Sequence, residues 1–228
     1  MSGSMRRTSV PPGPEARAGL TLRGVRIAIR AHVLIPALDL DIGPGECVTI
    51  MGRSGAGKST LLAYIAGTME PAFSAAGQVA IDGVDVTGLA PEQRRIGILF
   101  QDDLLFPHLS VGENLAFGLP ASLRGIPARR EAVERALAEA ELAGFARRDP
   151  ATLSGGQRAR VALMRTLLAA PRALLLDEPF NKLDAQLRHD FRRFVFDHAT
   201  ERGLPILLVT HDVADATAAR GRTMTLEA

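Results

Sequence analysis

The sequence predicts an α/β fold: a mainly parallel sheet, preceded by an N-terminal antiparallel β lobe and interrupted by an inserted helical lobe. Three observations carry this. Ala173-Leu174-Leu175-Leu176 and Ile206-Leu207-Leu208-Val209 are continuous apolar runs, the pattern of parallel strands covered by helices on both faces. Between Leu20 and Ile42, apolar Leu22, Val25, Ile27 and Ile29 mark short strands that end at the turn Gly43-Pro44-Gly45-Glu46. From Arg129 to Glu141, Val133, Ala136, Leu137 and Ala140 recur at helical spacing among charges. With 228 residues, 46% of them hydrophobic, the chain can bury a full core.

In chain order, residues 1–19 hold Pro11, Pro12 and Pro14, lack the apolar core of a signal peptide and are expected to be a disordered tail outside the fold. Residues 20–228 are expected to form one domain. Within it, Val48 to Met51 is a strand, Ser59 to Ala66 the helix after it, and Gln78 to Ile81 and Ile96 to Phe100 are further strands. Residues 102–150 are expected to form a mostly helical lobe, and Arg158 to Ala169 a helix stopped by Pro171. No window holds the roughly 18 apolar residues that span a bilayer, so a membrane role requires a partner. The lone cysteine, Cys47, cannot form an internal disulfide and reads as a buried thiol in a reducing, cytoplasmic setting. A net charge of +2 gives no argument for a nucleic-acid partner.

The chemistry starts between the first buried strand and its helix, at Gly52-Arg53-Ser54-Gly55-Ala56-Gly57-Lys58-Ser59, followed by Thr60. Glycines let successive backbone N–H groups point inward, and the helix adds its positive end, so the loop is the phosphate cradle of a P-loop NTPase core. Lys58 is placed against the β- and γ-phosphates, and the Ser59 hydroxyl on Mg²⁺. Of 27 basic residues only Lys58 and Lys182 are lysines. A slim ammonium retained in an arginine-biased chain points to a steric demand.

Two carboxylates, Asp177 and Glu178, follow the apolar run at a strand end, where open α/β sheets bind ligands. Asp177 is expected to hold Mg²⁺ and Glu178 to take a proton from the attacking water. Thr210-His211-Asp212 ends another buried strand, which puts His211 on the same edge, within reach of a γ-phosphate. The pentapeptide Leu153-Ser154-Gly155-Gly156-Gln157 precedes a helix and supplies a second anion site from a hydroxyl and first-turn N–H groups. A head-to-tail two-fold dimer sets each such site opposite its neighbour's phosphate loop, around two ATP molecules.

Together these residues resemble the ATP-binding cassette family of transporter ATPases, from about Leu20 to the C-terminus. The phosphate loop, Gln101, the pentapeptide, Asp177-Glu178, Asn181-Lys182-Leu183-Asp184 and His211 stand in the family's order. The resemblance implies that Gln101 touches Mg²⁺ and couples to the membrane partner. It further implies that Ser154, Gly155, Gly156, Gln157 and Asp184 act on the nucleotide across the dimer, and that His211 senses the γ-phosphate. The stretch from Phe100 to Asn114 is similar to that of bacterial importer ATPases, such as those serving thiamine, iron or polyamines.

The expected function is therefore MgATP hydrolysis by an ATP-dependent homodimer at the inner face of the cell membrane. It would drive an integral membrane permease for import, together with an extracytoplasmic solute-binding protein. Leu104, Leu105 and Phe106 would help receive a permease helix or pack inside the helical lobe. The competing readings are a soluble cassette ATPase of DNA repair or translation and a nonhydrolytic ATP-binding regulatory subunit. Three departures from the family stand out: no aromatic residue lies between Leu20 and Cys47 to stack adenine, Asn181-Lys182 replaces the common Ser-Ala, and only 17 residues follow His211, too few for an appended regulatory domain.

Overall fold

The computed structural model describes residues 18–53 and 55–226; Ser54 of the phosphate loop and most of the expected tail lie outside the described residues. Strands β1 (Leu20–Ile29), β2 (His32–Ile42), β4 (Phe73–Ile81) and β5 (Val84–Asp85) form a four-stranded antiparallel sheet in the order β2-β1-β4-β5. Strands β3 (Cys47–Met51), β6 (Ile96–Leu99), β7 (Ala173–Asp177), β8 (Ile206–Thr210) and β9 (Arg222–Thr225) form a five-stranded sheet in the order β6-β7-β8-β3-β9, parallel at every pairing. Gly19, assigned from sequence to the tail, is tied down here: its N–H donates to Asp82 Oδ1 at 2.7 Å, and its carbonyl accepts from Asp82 N–H.

The parallel sheet is covered on both faces, which is why its strands read as unbroken apolar runs. Alternate residues serve opposite sides. Val48, Ile50, Ala173, Leu175, Leu207 and Val209 pack with helix α1 (Lys58–Ala66) and the buried rows of the antiparallel sheet, among them Leu22, Ile27 and Ile81. Leu174, Leu176, Ile206 and Leu208 face the other way, into the helices of the second half of the chain. The two sheets thus share one core around α1.

Two side chains fix α1 against its surroundings. Arg94, at the end of the one-turn helix α2 (Pro91–Arg94), is 6% exposed and donates to the carbonyls of Tyr64, Ile65, Thr87 and Leu89. It thereby caps carbonyls of the last turn of α1, and burial pulls its pKa below the usual arginine value. Tyr64 donates its hydroxyl to the Gly77 carbonyl on β4 at 2.8 Å.

Between β6 and β7 lie α5 (Gly155–Leu168) and, ahead of it within the expected helical lobe, α3 (Val111–Gly118) and α4 (Ile126–Glu139). Residues 102–110 and 140–149 contain no helix, so the expected helical lobe is helical only in these two segments; Pro107, Pro120 and Gly125 interrupt it. Its buried residues, Leu115, Val133 and Leu137 among them, belong to the same cluster as Leu174 and Leu176. Ser110 starts α3 with a capping box, accepting from Glu113 N–H while the Glu113 carboxylate accepts from Ser110 N–H at 2.7 Å. Asn114, fully buried, donates to the carbonyls of Phe106, Leu109 and Ser110 and accepts from Phe106 N–H at 2.8 Å, so the 106–110 turn is held as one piece.

The longest helix, α6 (Ala185–Glu201), was not expected from the sequence, nor were α7 (Val213–Ala218) and β9. In α6 the buried Phe191, Val195 and Ala199 recur every fourth residue, a stripe diluted by six charged side chains within Arg188 to Glu201. The buried Cys47 matches its sequence reading, with the thiol pushed up to about 12 by burial.

Candidate functional site

The parallel alignment of the five strands gathers their C-terminal ends on one edge. There β3 runs into the phosphate loop, β7 into Asp177 and Glu178, and β8 into His211. The loop needs glycine at Gly57, whose φ of +82° is left-handed and where a Cβ would lie 3.2 Å from Leu34 Cβ. Lys58, 6% exposed, donates Nζ to the carbonyls of Gly52 and Arg53 at 2.8 and 2.9 Å, so its ammonium is drawn back into the curve of the loop. The same Nζ lies 4.0 Å from Glu178 Oε1.

Ser59, exposed in the first turn of α1, donates its hydroxyl to Asp177 Oδ1 at 3.0 Å, closing the gap between the loop and β7. Burial raises the pKa of Asp177, only partly offset by this hydrogen bond, and the neighbouring Glu178 carboxylate raises it further. Glu178 sits in the left-handed region with φ 47°, its N–H donating to the Val209 carbonyl at 3.0 Å. Its Oε1 is 3.3 Å from His211 Nδ1. Lys58, Ser59, Asp177, Glu178 and His211 therefore form one continuous contact chain across three strand ends.

His211 is held from behind by a network that sequence reasoning missed. The Thr210 hydroxyl donates to Asp215 Oδ2 at 2.8 Å, and Arg192 Nε on α6 donates to Asp215 Oδ1 at 2.6 Å. Asp215 is fully buried, so this pairing removes an otherwise costly charge. Arg188 Nη1 donates to Asp212 Oδ2 at 3.0 Å. Burial pushes Asp212 up, but the Ala214 N–H and the guanidiniums of Arg192 and Arg188 hold its carboxyl below the usual range. The available signal was paired spacing: arginines four apart on one helix and aspartates three apart on the next.

Gln101 is exposed just beyond β6, and the register Leu99 to Leu176 brings it alongside the Asp177-Glu178 end of β7. Its neighbours tether the segment: Asp102 pairs with Lys182, and Asp103 accepts from Arg158 Nε at 2.8 Å. A cavity of about 200 Å³ lies here, lined by Gln101, Asp102, Gly155, Arg158, Lys182 and Leu183.

The pentapeptide stands apart from the phosphate loop. Ser154 caps α5 with its Oγ accepting from Gln157 N–H, and Gln157 Oε1 accepts from Ser154 N–H at 2.9 Å. Gln157 is thus folded back into a capping box, a use that spacing alone announces. Gly155 and Gly156 open the helix, where N–H groups have no intrahelical acceptor, and their nearest neighbours are Leu183 and Leu187. Asp184 accepts from Leu187 N–H at 3.0 Å as the N-cap of α6, a role the sequence reading did not assign.

Residues 35–181 match the family model described as ABC transporter. The chain belongs to the ABC transporter family. The Escherichia coli K12 protein YnjD, an uncharacterised ABC transporter ATP-binding protein, is 47% identical over 87% of this chain and 91% of its own length. The putative 2-aminoethylphosphonate import ATP-binding protein PhnT of Salmonella typhimurium is 40% identical over 93% of this chain but only 57% of its own length. Among solved structures, the ATP-binding cassette MJ0796, a dimer in a post-hydrolysis state with ADP and Pi, matches with a TM-score of 0.76 at 32% identity, covering 91% of this chain and 94% of that one. This cassette is accordingly an ATP-binding ATPase subunit with the α/β architecture read from its sequence. Among the described residues, no helix of the cassette is long and apolar enough to cross a membrane.

Proposed function

We propose that the chain hydrolyses MgATP as a head-to-tail homodimer and thereby powers a separate membrane permease that imports a small solute. The contact chain from Lys58 through Glu178 to His211 carries this reading. Lys58, drawn into the loop by two carbonyls, is poised to exchange them for β- and γ-phosphate oxygens, with Gly52, Arg53, Ser54, Gly55, Ala56, Gly57 and Thr60 completing the cradle.

A magnesium ion fits the residues present. Asp177 is a half-buried carboxyl whose pKa burial raises and which accepts a hydrogen bond from the Ser59 hydroxyl, so a cation between them would offset the cost of desolvation. Mg²⁺ commonly takes one carboxylate, a hydroxyl, phosphate oxygens and water, which matches a site without a cluster of three acidic or histidine ligands among the described residues. Ser59, Asp177 and, from β6, Gln101 would hold it. When bound, it neutralises charge on the β- and γ-phosphates.

Glu178 takes the proton of the attacking water as the new oxygen–γ-phosphorus bond forms and the bond to the β-phosphate oxygen breaks, leaving ADP and inorganic phosphate. His211, 3.3 Å from Glu178 Oε1 on the same sheet edge, would report the presence of the γ-phosphate. The first-turn N–H groups of Gly155 and Gly156 and the Ser154 hydroxyl proton remain available to a partner's nucleotide, with Gln157 and Asp184 ordering that surface. Dimeric MJ0796 with ADP and Pi supports the assembly, and the import proteins for Fe(3+) and thiamine among the relatives support the direction. Such a subunit works in the cytoplasm, bound peripherally to its permease, with a solute-binding protein on the far side of the membrane. Glu178→Gln tests the reading: ATP binding persists, phosphate release stops and dimers accumulate, whereas wild-type turnover in that variant contradicts it.

A further inference from the structure

Asn181 departs from the small residue common at its place, and the structure shows where its extra reach goes. Its Nδ2 donates to Oε2 of Glu178, on the same chain. The other carboxylate oxygen, Oε1, faces His211 Nδ1 at 3.3 Å and Lys58 Nζ at 4.0 Å. The two oxygens of Glu178 therefore have different partners, and only Oε1 looks toward the phosphate loop.

We propose that Asn181 is a positioning residue for hydrolysis: its amide pins Oε2 so that Oε1 is the atom presented to the attacking water. This rests on the reading of Glu178 as the proton acceptor. A glutamate has three rotatable side-chain bonds, and an unpinned carboxylate spends most of its time away from the reactive orientation. Asn181 is itself anchored. Its N–H donates to the Glu178 carbonyl at 3.4 Å, and its carbonyl accepts from Arg188 Nη2 at 3.3 Å.

Arg188 also holds Asp212, the residue after His211, so the two contacts that flank the Glu178 carboxylate are braced by one guanidinium. Phe180, fully buried beside Phe191 and Phe196, fixes the intervening backbone to α6. The amide consequently approaches Glu178 from a rigid turn rather than a loose loop. Lys182, the other half of the same departure, points away to Asp102 and takes no part in this contact.

The test uses the full chain with two substitutions measured beside Glu178→Gln. Asn181→Ala removes the amide, and Asn181→Asp keeps its shape but cannot donate. Both are expected to lower kcat about 10-fold or more, the loss of one hydrogen bond to a charged group. KM for ATP, nucleotide affinity and Tm are expected to stay near wild type, because neither the phosphate loop nor the core is touched. Wild-type kcat in either variant overturns the inference, as does a loss that appears wholly in KM or in affinity. The parallel Glu178→Gln arm separates the two claims: wild-type turnover there removes the underlying reading, whereas an inactive Glu178→Gln beside fully active Asn181 variants removes the role of Asn181 alone.

Discussion

The two sheets of this molecule pack on a common core yet contribute unequally to chemistry. In the antiparallel sheet, successive strands reverse direction, so their loops are shared between two ends and no single edge collects them. In the parallel sheet every strand delivers its C-terminal loop to the same edge, and Lys58, Asp177, Glu178 and His211 arrive together although more than 150 residues separate the first from the last. The antiparallel sheet serves by burying α1, which carries the phosphate loop at its head. One sheet is a scaffold, and the other is a scaffold with a working edge.

That division can be broken by substitutions sorted to either side. The largest effect belongs to the working edge: Glu178→Gln is expected to lower kcat by about 100-fold or more with Tm unchanged, in a phosphate-release assay. A stable protein with normal kcat would erase the distinction. On the scaffold side, Ile27 is 1% exposed on β1, and Ile27→Ala is expected to cost about 2–5 kcal/mol by denaturant titration while the surviving folded fraction keeps its KM. Lys58→Ala comes next, expected to weaken nucleotide affinity at least about 10-fold in a direct binding titration, since it removes the cation proposed to meet the phosphates. Unchanged affinity would count against the phosphate-loop assignment.

Smaller effects sharpen the boundary between the sheets. Tyr64 sits on α1 but bonds the antiparallel sheet, so Tyr64→Phe is expected to cost about 1 kcal/mol of stability and to leave kcat alone. A selective loss of kcat would show that the scaffold transmits motion to the edge. Lys182 and Asp102 are both more than half exposed, and Lys182→Ala is expected to change stability by less than about 1 kcal/mol, with the residue falling as salt rises.

The working half was the more legible in the sequence. Strands buried on both faces leave unbroken apolar runs at Ala173 to Leu176 and Ile206 to Val209, and a strand, glycine loop and helix in that order identify a phosphate cradle. The antiparallel strands were recognised from alternation, though β4 begins at Phe73, five residues before the stretch expected, because Ser74, Ala75 and Ala76 have weak strand propensity and are held by pairing with β1. Strand β9 escaped notice because it is a polar, largely exposed edge paired on one side only. Helix α6 was hidden by its charges, two of which, Arg188 and Arg192, form the pairs with Asp212 and Asp215 that brace His211. Of the site, the loop lysine and the two carboxylates could be placed from motif and strand position. The hydrogen bonds of Asn181 and Arg188 could not, since they depend on how a turn and two helix ends meet.

Mixing two inactive variants tests whether each chain completes its partner's nucleotide site. Lys58→Ala spoils the phosphate loop and Ser154→Arg the helix tip; a head-to-tail heterodimer of the two rebuilds one intact site from the undamaged halves. The predicted result is turnover absent from either variant alone and restored in the equimolar mixture to as much as roughly a quarter of wild type, half of the dimers carrying one of two sites. A mixture as inactive as its components, with heterodimers shown to form, would contradict it.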